Sequence, residues 1–246
     1  MIKTNPLVQE TLTGIARPGI VHVTSLGYLA VQALALLLWW PKHDVFTVME
    51  SGLEPDVLVA VLTALGASCC YLSLRCGAEE IMLQGQHSIF EWTSVDALPL
   101  NRLLAGYLAS HLLISMFWVG LAMPLVMAAW SVGGGGWSAL GASIVALTVQ
   151  ALTFRLVGAV LYLRVGHHGA LMFVLLRTVF VVAYIVLGFI VPAGSYLVFA
   201  LAVLAPGSSL EFSLGSGAIQ FMAIYSAVGV AMTGLLAQRL RTMRRG

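Results

Sequence analysis

Charged side chains are scarce in this 246-residue chain. Asp, Glu, Lys and Arg together make up 9% of it, against about 25% in a soluble domain. That scarcity excludes a water-soluble catalytic or binding domain of any size. Cysteine is nearly absent. Cys69, Cys70 and Cys76 match no zinc or redox spacing and leave no room for a disulfide framework; they read as small packing residues. The chain also lacks an ATPase motif. Its one glycine run, Gly133–Gly136, is followed by Trp137, where a phosphate-binding loop needs Lys and then Ser or Thr. The run reads as an outer turn. No secretory signal peptide is expected, because the first apolar run starts near residue 20 and exceeds the roughly 7–15 residues of an h-region. No internal repeat is visible.

What the chain has instead is apolar length. Apolar residues make up 60% of it and mean hydropathy is +0.97, so the fold class is set by the membrane. A hydrocarbon core of roughly 30 Å needs about 20 apolar residues in helical form. Six stretches qualify: Ile20–Trp40, Val57–Leu74, Leu103–Trp130, Trp137–Leu163, Ala170–Val191 and Gly217–Ala237. They are continuous and do not alternate, which favours helices over a transmembrane barrel. The expectation is an all-α polytopic membrane protein, with residues 1–246 forming one transmembrane domain of six transmembrane helices.

Basic residues set the orientation. Six spans put both termini on one face, with Lys3, Arg17, Arg75, Arg102, Arg164, Arg239, Arg241, Arg244 and Arg245, and leave Lys42 alone on the other. Both termini are therefore expected in the cytoplasm, with the protein in the cell's inner (cytoplasmic) membrane. The loop Pro41–Asp56, carrying Asp44, Glu50, Glu54 and Asp56, is expected outside.

Two segments lie outside this scheme. At the amino terminus Asn5-Pro6 predicts a helix start, with Asn as cap and Pro in the first turn. Val8, Leu12 and Ile15 fall on one face, and Pro18-Gly19 closes the pattern. Residues 1–19 thus predict an amphipathic helix in the membrane interface. The second segment is Gly77–Leu104, 28 residues holding four of the ten acidic groups. Glu80, Gln84, His87 and Glu91 are spaced by four, three and four, which predicts one polar helical face. Ile81, Ile89 and Phe90 offer apolar surface beside it, and Pro99 is expected to end or bend the helix.

This arrangement resembles the type-2 ABC exporter permease family. The residues carrying the likeness are Asn5-Pro6 followed by Glu10, then Glu79-Glu80, Ser88, Glu91, Pro99-Leu100 and Gly106. The chain departs from the family in having Ile-Met-Leu-Gln-Gly-Gln-His where a charged run is usual. The resemblance implies an interfacial elbow helix over 1–19 and a cytoplasmic coupling segment over 77–102. Glu79, Glu80, Gln84, His87, Glu91 and Pro99 would couple to the ATPase. It also implies a re-entrant segment over 192–216, and here the sequence agrees. Tyr196–Ala205 is a ten-residue apolar run closed by Pro206-Gly207, too short to span. A weaker resemblance is to the haem-exporter B branch of cytochrome c maturation permeases.

Few ionisable residues fall within the spans. His111 in the third span could ligate haem, shuttle protons or bond a neighbouring helix. Arg155 and Arg177 each lie eleven residues from Gly166, about 16 Å along a helix, and so share one depth if the turn between them is symmetric. They either line a pathway cavity or snorkel to headgroups. His167-His168 sits between glycines and reads as a polar turn rather than a metal site.

The expectation is therefore a permease subunit, not an enzyme, that couples to separate ABC-type ATPase subunits and pairs with a second permease subunit, identical or related. Membrane lipids are expected partners and nucleic acid is not. No catalytic residue, metal or cofactor is expected on this chain; ATP and Mg belong on the partner. The alternatives are a non-transporting membrane anchor or assembly subunit, and a haem-handling membrane subunit.

Overall fold

The computed structural model describes residues 5–16, 20–42, 55–79, 99–133, 137–165, 170–190 and 214–243. These form seven helices: α1 (Pro6–Ala16), α2 (Ile20–Trp39), α3 (Pro55–Glu79), α4 (Leu100–Gly133), α5 (Trp137–Val165), α6 (Ala170–Ile190) and α7 (Leu214–Met243). The described residues contain no strand. Five helices, α2, α3, α4, α5 and α7, are long and apolar enough to cross a membrane. The 21-residue α6 contributes a shorter apolar stretch, Val174–Ala183, among its described side chains. The described residues are thus helical throughout their regular structure, and the apolar helices make the chain a multi-pass membrane protein.

Helix boundaries follow local chemistry. Asn5 caps α1: its side-chain oxygen accepts from the Leu7 amide at 3.2 Å and its carbonyl accepts from Gln9 at 3.1 Å. Pro6 then costs nothing, since its missing N–H would have had no intrahelical acceptor. Pro99 plays a comparable part at α4, where its carbonyl accepts from the amides of Arg102 and Leu103. Pro99 thus precedes a helix start, and α4 begins at Leu100 rather than Leu103; the helix that Pro99 was expected to end or bend lies outside the described residues. In the other direction α3 continues past Leu74 to Glu79, because Arg75-Cys-Gly-Ala-Glu contains no residue that forces a stop. The polar segment is thus flanked directly by two membrane-crossing helices. Within α4, Pro124 removes the bond to the carbonyl of Gly120, a residue with open space around it.

The bundle is built around α3 and α5, which share the most extensive contact. Their apolar spans are 61% and 67% buried, against 17% for α2 and α7, so these two are interior and the others peripheral. Gly158 makes the central contact possible. A Cβ there would collide with the carbonyl oxygen of Leu74, so the two backbones touch, as small residues permit between membrane helices.

Paired residues give the helix directions. Tyr28 with Cys69 and Gln32 with Ser68 run α2 and α3 antiparallel. Cys70 with Gln150 and Leu74 with Gly158 run α3 and α5 parallel. Leu7, Leu103, Leu156, Val160, Leu236 and Leu240 form one apolar cluster, which gathers α1, the start of α4 and the ends of α5 and α7 at one end of the bundle. The opposite end carries Trp39 and Trp40, and Trp130 packed at a tilt against Trp137 with centroids 4.1 Å apart, in the manner of an interfacial aromatic belt.

The α1 helix turns toward the bundle with Leu7, Thr11 and Gly14, which are buried, while Leu12 is 53% exposed. The Val8–Leu12–Ile15 stripe is therefore not the packing face. Its apolar side points away, as suits a helix whose surroundings are lipid. The Asn5 amide donates to the carbonyl of Arg102 at 2.7 Å, and its side chain fills the space a Cβ on Gly106 would occupy.

Candidate functional site

Polar side chains turn inward in this bundle. Gln32, Ser73, Ser110, His111, Ser115, Ser143, Gln150, Thr153, Arg155 and Arg177 are all buried, while Leu, Val and Met residues are left on the outside. Among lipids this is expected, because a polar group finds partners only within the protein, whereas large apolar side chains occupy both the outside and the core.

The strongest contact joins α5 to α4. The Nε of Arg155 donates to Nδ1 of His111 at 2.7 Å, and both side chains are wholly inaccessible to solvent. Arginine has donors only, so Nδ1 must present its lone pair. The imidazole is then the neutral tautomer with its proton on Nε2. Tyr107, one turn earlier on α4, meets the His111 ring edge to face, with centroids 4.0 Å apart and planes at 90°. Ser115 donates to the His111 carbonyl at 2.8 Å. The ring is thus held between Tyr107 of α4 and Arg155 of α5.

A second arginine contact joins α6 to α3. Arg177 donates to the Tyr71 hydroxyl at 2.6 Å, and its guanidinium carbon lies 4.3 Å from the centroid of that ring. Tyr71 receives Arg177 both as a hydroxyl acceptor and as a π face.

Both arginine contacts lie along the stretch where α3 runs beside α5. On α3, Cys70 and Leu74 mark the levels of Gln150 and Gly158 on α5. Arg155 lies between the latter pair and Tyr71 between the former. The turn about Gly166, on which their expected shared depth depends, lies outside the described residues. Snorkelling does not describe Arg155, which ends in a hydrogen bond inside the protein rather than at a headgroup. Arg177 is likewise buried.

Around these contacts run weaker links. The Tyr28 hydroxyl donates to the Trp118 carbonyl at 3.0 Å, and the two rings pack edge on at 5.2 Å. Gln32 donates to Ser68 at 3.2 Å, Gln150 to the sulfur of Cys70 at 3.4 Å, and Thr153 to the Tyr225 carbonyl at 3.1 Å. Cys69 and Cys70 are buried free thiols, in keeping with a packing role.

Of the expected coupling residues, Glu79 is the last residue of α3 and Pro99 the exposed residue before α4. Glu80, Gln84, His87 and Glu91 lie outside the described residues. So do His167-His168 and residues 192–213 of the expected re-entrant segment; Leu214–Ser216 begin α7. Among the described residues, no group of three or more His, Cys, Asp or Glu converges as a metal site. His111, weighed as a haem ligand, has its Nδ1 engaged by Arg155 in this arrangement. Sequence reasoning singled out His111, Arg155 and Arg177 but missed Tyr107, Tyr71 and Gln150. The available signal was the presence of hydrogen-bonding groups within apolar runs. Comparison with protein families, with curated proteins and with solved structures finds no match for this chain.

Proposed function

We propose that this chain is the transmembrane permease subunit of an ATP-binding cassette exporter, with six spans in the cytoplasmic membrane and both termini in the cytoplasm. One observation carries the reading. The polar segment between Glu79 and Pro99 joins the end of α3 directly to the start of α4, and α1 is bonded to that start through Asn5 and Arg102. A soluble ATPase engaging the segment would act at once on α3, α4 and the amino-terminal helix. The collection of basic residues at that end, Arg102, Arg239 and Arg241 among them, supports a cytoplasmic position. ATP and Mg would be bound by the ATPase, and a second permease subunit, identical or related, would complete the pathway. The stretch holding Arg155, His111 and Arg177 is the part of the bundle suited to polar cargo or to gating.

The test is co-purification of the ATPase with chains carrying Glu80→Arg or Glu91→Arg. Charge reversal at a docking face is expected to weaken the complex and its coupled ATP hydrolysis. Retention of both in both variants would reject this docking face, and a native complex without any ATPase would favour the anchor reading.

A further inference from the structure

The last helix presents two exposed stripes, and each ends in an arginine. Ile224, Val228 and Leu235 are exposed and lie at helical spacings that continue to Arg239. Val230, 74% exposed, continues through Gly234 and Ala237 to Arg241. Between the arginines Leu240 is fully buried, in the cluster that also holds Leu236, Leu7 and Leu103. The helix end is therefore fixed in position, and its two guanidinium groups leave on either side of the anchoring leucine. An apolar stripe on a peripheral membrane helix faces acyl chains. Where it gives way to arginine, the surface has reached the headgroups.

We infer that Arg239 and Arg241 form a binding rim for anionic phospholipid headgroups at this end of the bundle. Arg102 extends it on the neighbouring helix, exposed beside the buried Leu103 of the same cluster. The exposed Leu12 of α1 supplies apolar surface for an acyl chain at the same level. Glu10 on α1 and Glu79 at the end of α3 are the acidic residues described at this end, so Arg102, Arg239 and Arg241 outnumber them. Continuity with the acyl-facing stripes selects a lipid over a soluble protein as the occupant, because a soluble partner would not reach down Leu235 and Val228. Guanidinium groups match phosphate oxygens with paired donors, and a net negative headgroup adds the charge that phosphatidylcholine lacks.

The experiment is native mass spectrometry of the full chain in detergent, titrated with phosphatidylglycerol or phosphatidylcholine of matched acyl chains. The wild-type chain is expected to retain phosphatidylglycerol preferentially, and the preference should shrink as salt is raised. Arg239→Gln and Arg241→Gln should each lower it about fivefold, while the Arg239→Lys/Arg241→Lys double variant, which keeps both charges, should retain it. An equal response of wild type to the two lipids overturns the assignment whatever the variants do. So does an undiminished preference in folded Gln variants, or a loss in the Lys variant as large as in the Gln variants. Loss of a co-purifying soluble protein from the Gln variants with lipid retention unchanged would make the rim a protein-docking surface instead.

Discussion

Arg155 and His111 form a fully buried cation–imidazole hydrogen bond of 2.7 Å between α5 and α4. The donor cannot accept and the acceptor must therefore be neutral, so the pair fixes both the side-chain geometry and the tautomer. Tyr107 closes on the ring from the same helix.

Replacing His111 by Leu keeps the volume and removes the acceptor. The buried guanidinium then loses a bond it cannot recover from solvent, at a cost of about 3 kcal/mol. Thermal unfolding in detergent should show the midpoint falling by several degrees. Adding Arg155→Met to His111→Leu should restore much of the loss, because a matched apolar pair leaves no donor behind. A double variant as unstable as the sum of the two singles would contradict the pairing.

Arg177 and Tyr71 allow the hydroxyl and the ring to be separated. Tyr71→Phe removes the hydrogen-bond acceptor alone, for about 1 kcal/mol. Tyr71→Leu also removes the π face, for up to roughly 2 kcal/mol more. A double-mutant cycle with Arg177→Met should give a coupling energy that is larger for the Leu series than for the Phe series. Equal couplings would mean that the ring face contributes nothing.

Gly158 sits where two backbones meet. Gly158→Val places a branched side chain against the carbonyl of Leu74, and neither helix can yield without losing the α3–α5 contact. The expected result is failure to accumulate as a folded, monodisperse protein. Gly120→Ala, at a position with open space, should be tolerated. Size-exclusion profiles of the two variants make the comparison.

Asn5 is both a helix cap and a tether. Asn5→Ala removes the bond to Leu7 within α1 and the bond to Arg102 on α4. Losing the cap costs about 1 kcal/mol, and losing the tether frees the helix from the bundle. Hydrogen exchange over Pro6–Ala16 should accelerate while the interior of α5 stays protected. Gly106→Ala, which pushes the same amide aside, should reproduce the release with the cap residue still present.

Much of this architecture was legible in the chain because bilayer thickness is a strong constraint on apolar length. The Asn5-Pro6 start was legible for a local reason: capping is settled by neighbouring atoms. That Arg155 and Arg177 would need protein partners was legible because each lies within a long apolar run. The partners of those arginines were not. His111 lies 44 residues from Arg155 and Tyr71 lies 106 from Arg177, and such pairs are chosen by helix rotation, which hydropathy does not encode. The face of α1 illustrates the same difficulty. An apolar stripe in a soluble protein marks the core, but here lipid competes for it, and Leu7, Thr11 and Gly14 take the packing side. In the interior helices the more informative pattern was polar: Gln150, Thr153 and Arg155 fall in the stretch of α5 that is buried almost all round.

The backbone contact at Gly158 has a mechanical consequence. With no side chain between them, α3 and α5 behave as a single spar, and the 25 residues of α3 make that spar about 37 Å long. Force applied at Glu79 is delivered to α5 without slack, and through Arg155 to α4. Bending and sliding fall instead to α6, which among the described residues meets the spar less than α2, α4 or α7 does.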